Sequence, residues 1–185
     1  TKYHEEGHQI DHLLGKVAKF CDNPVKGFYA CMTNSECSVG NAMGKAIEKD
    51  LLTFVNDAVS YVNKQGKTCK SLKSFARIPY EVKEATIDYL NYLTSNRADE
   101  VTKCRLGILT DALGCYTEGK LHPYGFGFWG HKFKYCKSVK KNGAISETWA
   151  TFCALRVCGS PEEIEEVKKI MPNTWENMSK VYSEI

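Results

Sequence analysis

The stretch from Val39 to Asn63 constrains this chain more than any other. Apolar residues recur at Val39, Ala42, Met43, Ala46, Ile47, Leu51, Phe54, Val55, Ala58 and Val62. Steps of three and four put them on one helical face, and Lys45, Glu48, Lys49, Asn56 and Asp57 fill most of the other side. Gly66 follows and suits the left-handed residue that ends a helix. A helix of this length runs about 37 Å, the width of a small domain. Its apolar stripe must be covered, so the spacing predicts a central helix with other elements packed upon it.

Most of the remaining chain has the same period. Tyr3, Ile10, Leu14, Val17 and Cys21 share a face, which predicts a helix from Tyr3 to Phe20. Pro24 can open a short helix through Phe28, Tyr29 and Met32, and Leu72, Phe75 and Ile78 suggest another short piece closed by Pro79. Helical spacing returns from Tyr80 to Leu93, and again through Val101, Cys104, Ile108, Leu109, Ala112, Cys115 and Tyr116. Ser146 can cap a helix through Trp149, Phe152, Cys153 and Val157. Ser160-Pro161-Glu162-Glu163 is a capping box with proline at its first position, and Thr174 starts a last helix. Strand patterns are scarce. The expectation is an all-α fold: a disulfide-stapled bundle of seven or eight helices around one long central helix, in a single domain over residues 1–185. The chain of 185 residues, 43% hydrophobic and 25% charged, suits one domain with a real core. No apolar run approaches the roughly 20 residues of a membrane span.

Nine cysteines set the expected compartment. None forms a Cys-x-x-Cys pair, the local spacing that zinc sites usually need. Scattered cysteines read instead as disulfides in an oxidising compartment, so a secreted protein is expected, in mature form because no leader opens the chain. Cys21, Cys31, Cys37, Cys69, Cys104, Cys115, Cys153 and Cys158 are the bridge candidates. Cys104 and Cys115 lie about 16 Å apart on one helix, and Cys153 and Cys158 about 8 Å apart, so neither pair should bond internally. The count is odd. Cys136 is therefore the candidate for a free thiol or for the bond of a disulfide-linked homodimer, its thiolate favoured by Lys134 and Lys137. Asn177-Met178-Ser179 is a glycosylation sequon, with Asn177 the acceptor.

From Lys120 to Ser146 the character changes. The stretch holds six lysines, six aromatics and no Asp or Glu, and reads as a long loop. Trp129, His131, Lys132, Phe133, Lys134, Tyr135 and Lys137 form its candidate binding face: the aromatics stack or insert while the lysines meet an anionic membrane or glycan. A solvated run of lysines paired with Glu162, Glu163 and Glu166 is the competing structural reading. The net charge of +3 is too small for a dedicated nucleic-acid binder.

Two catalytic strings fail on context. His4-Glu5-Glu6-Gly7-His8 matches H-E-x-x-H, in which two histidines one turn apart hold zinc and the glutamate activates water. It opens the chain, Gly7 weakens the helix, and His12 comes too early to be a third ligand. The expectation is a solvated ridge of His4, His8 and His12, with adventitious zinc or copper binding the sharper alternative. Gly125-Phe126-Gly127-Phe128-Trp129-Gly130 matches a dinucleotide loop, but no strand precedes it and bulky rings sit where phosphate must approach. No cofactor, resident metal or catalytic residue is assigned, and the balance leans against an enzyme. The leading expectation is a secreted non-enzymatic binding protein, carrying an apolar small molecule or engaging an extracellular protein or receptor as an effector or toxin. A surface-binding or defence protein acting through the basic–aromatic loop comes second, and an enzyme of unrecognised type third.

Overall fold

The computed structural model describes residues 2–23, 31–62, 80–95, 100–119, 131 and 133–185. Among the described residues the chain forms seven α-helices and no strand. They are α1 (Lys2–Leu14), α2 (Ser38–Val62), α3 (Tyr80–Ser95), α4 (Glu100–Tyr116), α5 (Phe133–Cys158), α6 (Pro161–Ile170) and α7 (Pro172–Tyr182). The short helices expected after Pro24 and over Leu72–Ile78 lie outside the described residues.

The periodic stretch becomes α2 within one residue at each end. Met43, Ile47, Leu51, Phe54, Val55 and Ala58 are buried along it, as the steps of three and four require. Packing is shared with a second long helix: α2 lies against α3 and α7, and α5 lies against α4 and α1. Where the two sets meet, Trp149 and Phe152 of α5 stack at 5.7 Å between ring centroids, and Phe152 meets Trp175 of α7 edge-on at 4.8 Å. Offset and edge-on pairs of this kind add about 0.5–1.5 kcal/mol each beyond the area they bury.

Two expectations about element boundaries fail. The first helix stops at Leu14, not Phe20. Gly15 still donates to the Asp11 carbonyl, but Lys16 and Val17 bond only three residues back, so the helix tightens into turns that deliver Cys21 to Cys37. Closing that 16-residue separation by a disulfide is worth about 3 kcal/mol. The second concerns the long loop: its last part, from Phe133 to Ser146, is the first half of α5. Tyr135 and Val139, one turn apart, pack on the core, while Lys134 and Lys137 face solvent. The lysine run hides this weak apolar stripe in the sequence. At Lys140 the helix breaks, with φ 54° and ψ −144°, before resuming toward Glu147.

Helix ends are tied by buried carboxylates. Asp50, in the middle of α2, accepts from the backbone N–H of Thr174 and from its hydroxyl, both at 2.7 Å, and from Asn173. It thereby caps α7, whose own N-cap residue Met171 supplies no side-chain bond. Asp11 of α1 accepts from Thr33 N–H at 2.8 Å and from the Thr33 hydroxyl at 2.6 Å, anchoring the turn ahead of α2. The α6 capping box forms as predicted between Ser160 and Glu163.

Candidate metal centre

Gly7 decides how α1 meets α5. A Cβ there would lie 2.8 Å from Ala150 Cα, closer than real Cβ atoms approach backbone, and in tight contact at 3.2 Å with Cys153 Cβ. Only glycine lets the two helix backbones come this near. His4 and His8, one turn apart on either side of Gly7, are thereby laid across α5 at Glu147.

Three atoms converge there. His4 Nε2 is 3.1 Å from Glu147 Oε2, His8 Nε2 is 3.5 Å from the same oxygen, and the two ring nitrogens are 3.2 Å apart. A tetrahedral ion with bonds of about 2.0–2.1 Å holds its ligand atoms about 3.3 Å from one another. The triangle therefore has the dimensions of one face of such a coordination shell. His4, His8 and Glu147 are also a set able to hold a metal ion when only one donor atom per side chain is counted.

The far side of each group is occupied. His8 Nδ1 is 3.2 Å from Ser146 Oγ, whose own hydroxyl donates to Asp11 Oδ2 at 3.3 Å. With that proton committed, Ser146 accepts from His8 Nδ1–H, so His8 Nε2 faces inward, a donor to Glu147 when the ring is protonated and a lone pair when it is neutral. His4 Nδ1 lies 3.4 Å from Thr151 Oγ1. The Tyr135 hydroxyl donates to Glu147 Oε1. Outer partners of this kind fix ring orientation and carboxylate rotamer at metal sites.

The charges follow from this crowding. Burial works to raise the Glu147 carboxyl, which is 3% exposed, but hydrogen bonds from His4, His8 and Tyr135 together hold it well below the usual carboxylate range. The hydrogen bond to Glu147 raises His8 above the ordinary imidazole value against its desolvation. Burial, then the bond to Glu147, pushes the Tyr135 phenol up, so it stays a donor. A third histidine stands beside the triangle. His131 Nδ1 is 3.4 Å from Asp111 Oδ2 and 3.7 Å from Glu147 Oε2, and its ring stacks on Tyr135 at 4.1 Å. The bond to Asp111 raises its pKa as well.

Of the expected binding face, His131 and Tyr135 come together here, turned inward. Lys134 and Lys137 are exposed on the other side of the same helical turn. Trp129, Lys132 and the side chain of Phe133 lie outside the described residues. Lys168 pairs with Glu165 and Lys169 with Glu166, each at 2.6 Å. The solvated histidine ridge is a misreading for His4 and His8. It fails because their partner sits 139 positions beyond His8 in sequence, on a helix not adjacent in the chain. A glutamate between Ile145 and Trp149, within one turn of both, was the available signal, since a carboxylate drawn into a buried face needs partners.

The cysteines also need correction. Cys21 and Cys37 are bonded, while Cys31, Cys115, Cys136, Cys153 and Cys158 are thiols. Cys69 and the Cys104 side chain lie outside the described residues. Cys136 has 0% exposure, so it presents no surface for a bond to a second chain. Its pKa is lowered chiefly by a hydrogen bond from the Cys115 thiol and not by the neighbouring lysines, which point away. Burial pushes Cys153 up to about 12 and Cys31 up to about 11, which keeps both unreactive. Asn177 sits half-buried within α7 with its side-chain oxygen turned from solvent.

Helical architecture and a two-histidine, one-carboxylate centre are thus what define this chain. No protein-family model matches it, nor does a curated protein or a solved structure.

Proposed function

We propose that this is a secreted binding protein whose ligand is a divalent transition-metal ion of the zinc type, taken by His4 Nε2, His8 Nε2 and Glu147 Oε2. The triangle of 3.1–3.5 Å edges carries the reading. Three such atoms at this spacing call for a shared positive charge, which a proton supplies in the free protein and a bound cation would supply in its place. Two imidazoles and one carboxylate suit zinc and its first-row neighbours. Calcium and magnesium prefer all-oxygen shells. Three protein ligands leave a coordination position open, and His4 and His8 are 20% and 24% exposed, so the ion is reachable from solvent. The Cys21–Cys37 bond supports secretion. The apolar-carrier alternative finds less support: the cleft beside α2, of about 330 Å³, is lined by Asp50, Asp57, Lys169 and Asn173 as well as by Phe54 and Tyr89.

Titration of the metal-stripped protein with Zn²⁺ tests the reading. One ion per chain should bind, and the thermal midpoint should rise, by about 2.7 kcal/mol in stability at a hundredfold excess over Kd. Mg²⁺ should do neither. In His8→Ala and Glu147→Gln the zinc effect should fall at least a hundredfold. Zinc binding that survives in the double variant at full strength would place the site elsewhere and overturn the proposal.

A further inference from the structure

We infer that the cleft beside α2 is a second ligand site, for a small aromatic amine whose ring packs on Phe54, Tyr89 and Tyr92 and whose ammonium meets Asp57. Residues of α2, α3 and the α6–α7 junction line this cleft. Asp50, Thr53, Phe54 and Asp57 stand three, four and seven positions along α2, which is one helical face. Tyr89 and Tyr92 share a face of α3 in the same way. The volume of about 330 Å³ is at the small end of ligand pockets, room for one ring system with a short chain.

The rings hold one another in place. Phe54 and Tyr89 lie 5.5 Å apart between centroids. Tyr61, one turn beyond Asp57 on α2, meets Tyr89 at 5.0 Å and Tyr92 at 4.7 Å. Phe54 is 6% exposed and Tyr92 44%, so the aromatic surface runs from the core out to solvent. Rings fixed in this way offer a large contact area at little entropic cost to a ligand.

Asp57 supplies the charge. It is exposed, and the α2 positions one turn away are Thr53, Phe54, Ser60 and Tyr61, none of them a cation. Thr53 donates to the Lys49 carbonyl at 3.1 Å and Ser60 to the Asn56 carbonyl at 2.9 Å, so both hydroxyl protons are committed to the helix backbone. Lys169 is already paired with Glu166 at 2.6 Å, and the Asp50 oxygens are filled by Thr174 and Asn173. A carboxylate left open beside aromatic faces is the combination that recognises an organic cation: the ammonium pairs with the acid and lies against the rings. The polar groups that disfavour an apolar cargo thus select one bearing a positive charge.

The inference is independent of the metal reading, and its test uses the whole chain stripped of metal. Isothermal titration calorimetry at about 0.15 M salt compares tryptamine with two analogues of similar shape, neutral tryptophol and anionic indole-3-propionate. One tryptamine should bind per chain. Tryptophol should bind about tenfold more weakly, the scale of one charge-assisted bond lost, and the acid more weakly still. Asp57→Asn should bring tryptamine down to the level of tryptophol and leave tryptophol unchanged, while Tyr92→Ala should weaken both. Both side chains are exposed, so the melting temperature of each variant should stay near that of the parent. Failure of tryptamine to bind at millimolar concentration overturns the inference. So does equal affinity for tryptamine and tryptophol, or a preference for the amine that survives Asp57→Asn. A chain that takes zinc but no tryptamine would lose this site alone, and one that takes tryptamine but no zinc would lose only the metal reading.

Discussion

Asp50 and Glu147 are both buried carboxylates near the middle of a long helix, and both are met by another element. Asp50 is met by donors: two backbone N–H groups, a hydroxyl and an amide from the start of α7. Its charge is answered and its lone pairs are filled, so it holds α7 on α2 and has nothing left to bind. Glu147 is met on one oxygen by a donor, Tyr135, and on the other by two imidazole nitrogens that also bear lone pairs. The first cluster is complete as it stands. The second lacks a positive charge, which a proton or a metal ion can supply. The side chains around a buried acid, more than its burial, separate a structural carboxylate from one that can take a ligand.

The largest effect should come from the complete cluster. Asp50→Ala strips partners from the Thr174 N–H and hydroxyl, at a residue 2% exposed, and from Asn173. At about 1–3 kcal/mol for buried groups left unsatisfied, with the loss of a cap, stability should fall by about 3 kcal/mol. For a chain of this size that is a drop of roughly 10 °C in Tm. Zinc affinity should stay within about twofold of the parent, since no Asp50 contact reaches the Glu147 centre. Paired calorimetry and zinc titration read both, and a parallel loss of affinity would break the contrast between the two carboxylates.

An intermediate effect is expected at Gly7, where fold and site meet. In an isolated helix Gly7→Ala should stabilise by about 1 kcal/mol. Here the new methyl would press on the Ala150 backbone, which cannot yield as a side-chain tip can. The balance should be a loss of about 1–2 kcal/mol with α1 displaced, and a tenfold or greater loss of zinc affinity. An unchanged affinity would show that α1 holds its place without close contact, and the triangle would then owe nothing to Gly7.

Gly7 also marks the limit of what the sequence discloses. The helices at Val39–Asn63, Tyr80–Leu93 and Ser160–Ile170 are legible because each carries a regular apolar stripe or a cap. The start of α5 is not, because its stripe is thin and set among lysines. The H-E-x-x-H string is legible as a spacing, and Gly7 reads there as a weakness. Only the α1–α5 approach turns that glycine into a requirement and supplies Glu147 as the third group. Contacts between residues so far apart in sequence arise from helix packing, and periodicity says which face is buried without saying what it meets.

The smallest effect sharpens the contrast most, because it leaves all three converging atoms in place. Ser146 links the Glu147 centre to a further buried carboxylate, Asp11: it accepts from His8 Nδ1 and donates to Asp11. Ser146→Ala removes both bonds. Asp11 keeps its two bonds from Thr33, so the cost in stability should stay under about 1 kcal/mol. His8 loses the partner that turns its Nε2 lone pair inward, and zinc affinity should fall about tenfold, the lower range seen when an outer partner of a metal ligand is removed. Thr148→Ala is the matched control. Its hydroxyl bonds the Ala144 carbonyl of its own helix, within the same turn of α5 and away from the centre. It should lose a similar amount of stability with zinc affinity intact. If the two variants behave alike in the titration, Ser146 serves only the helix, and the orientation of His8 must come from Glu147 and the ion alone.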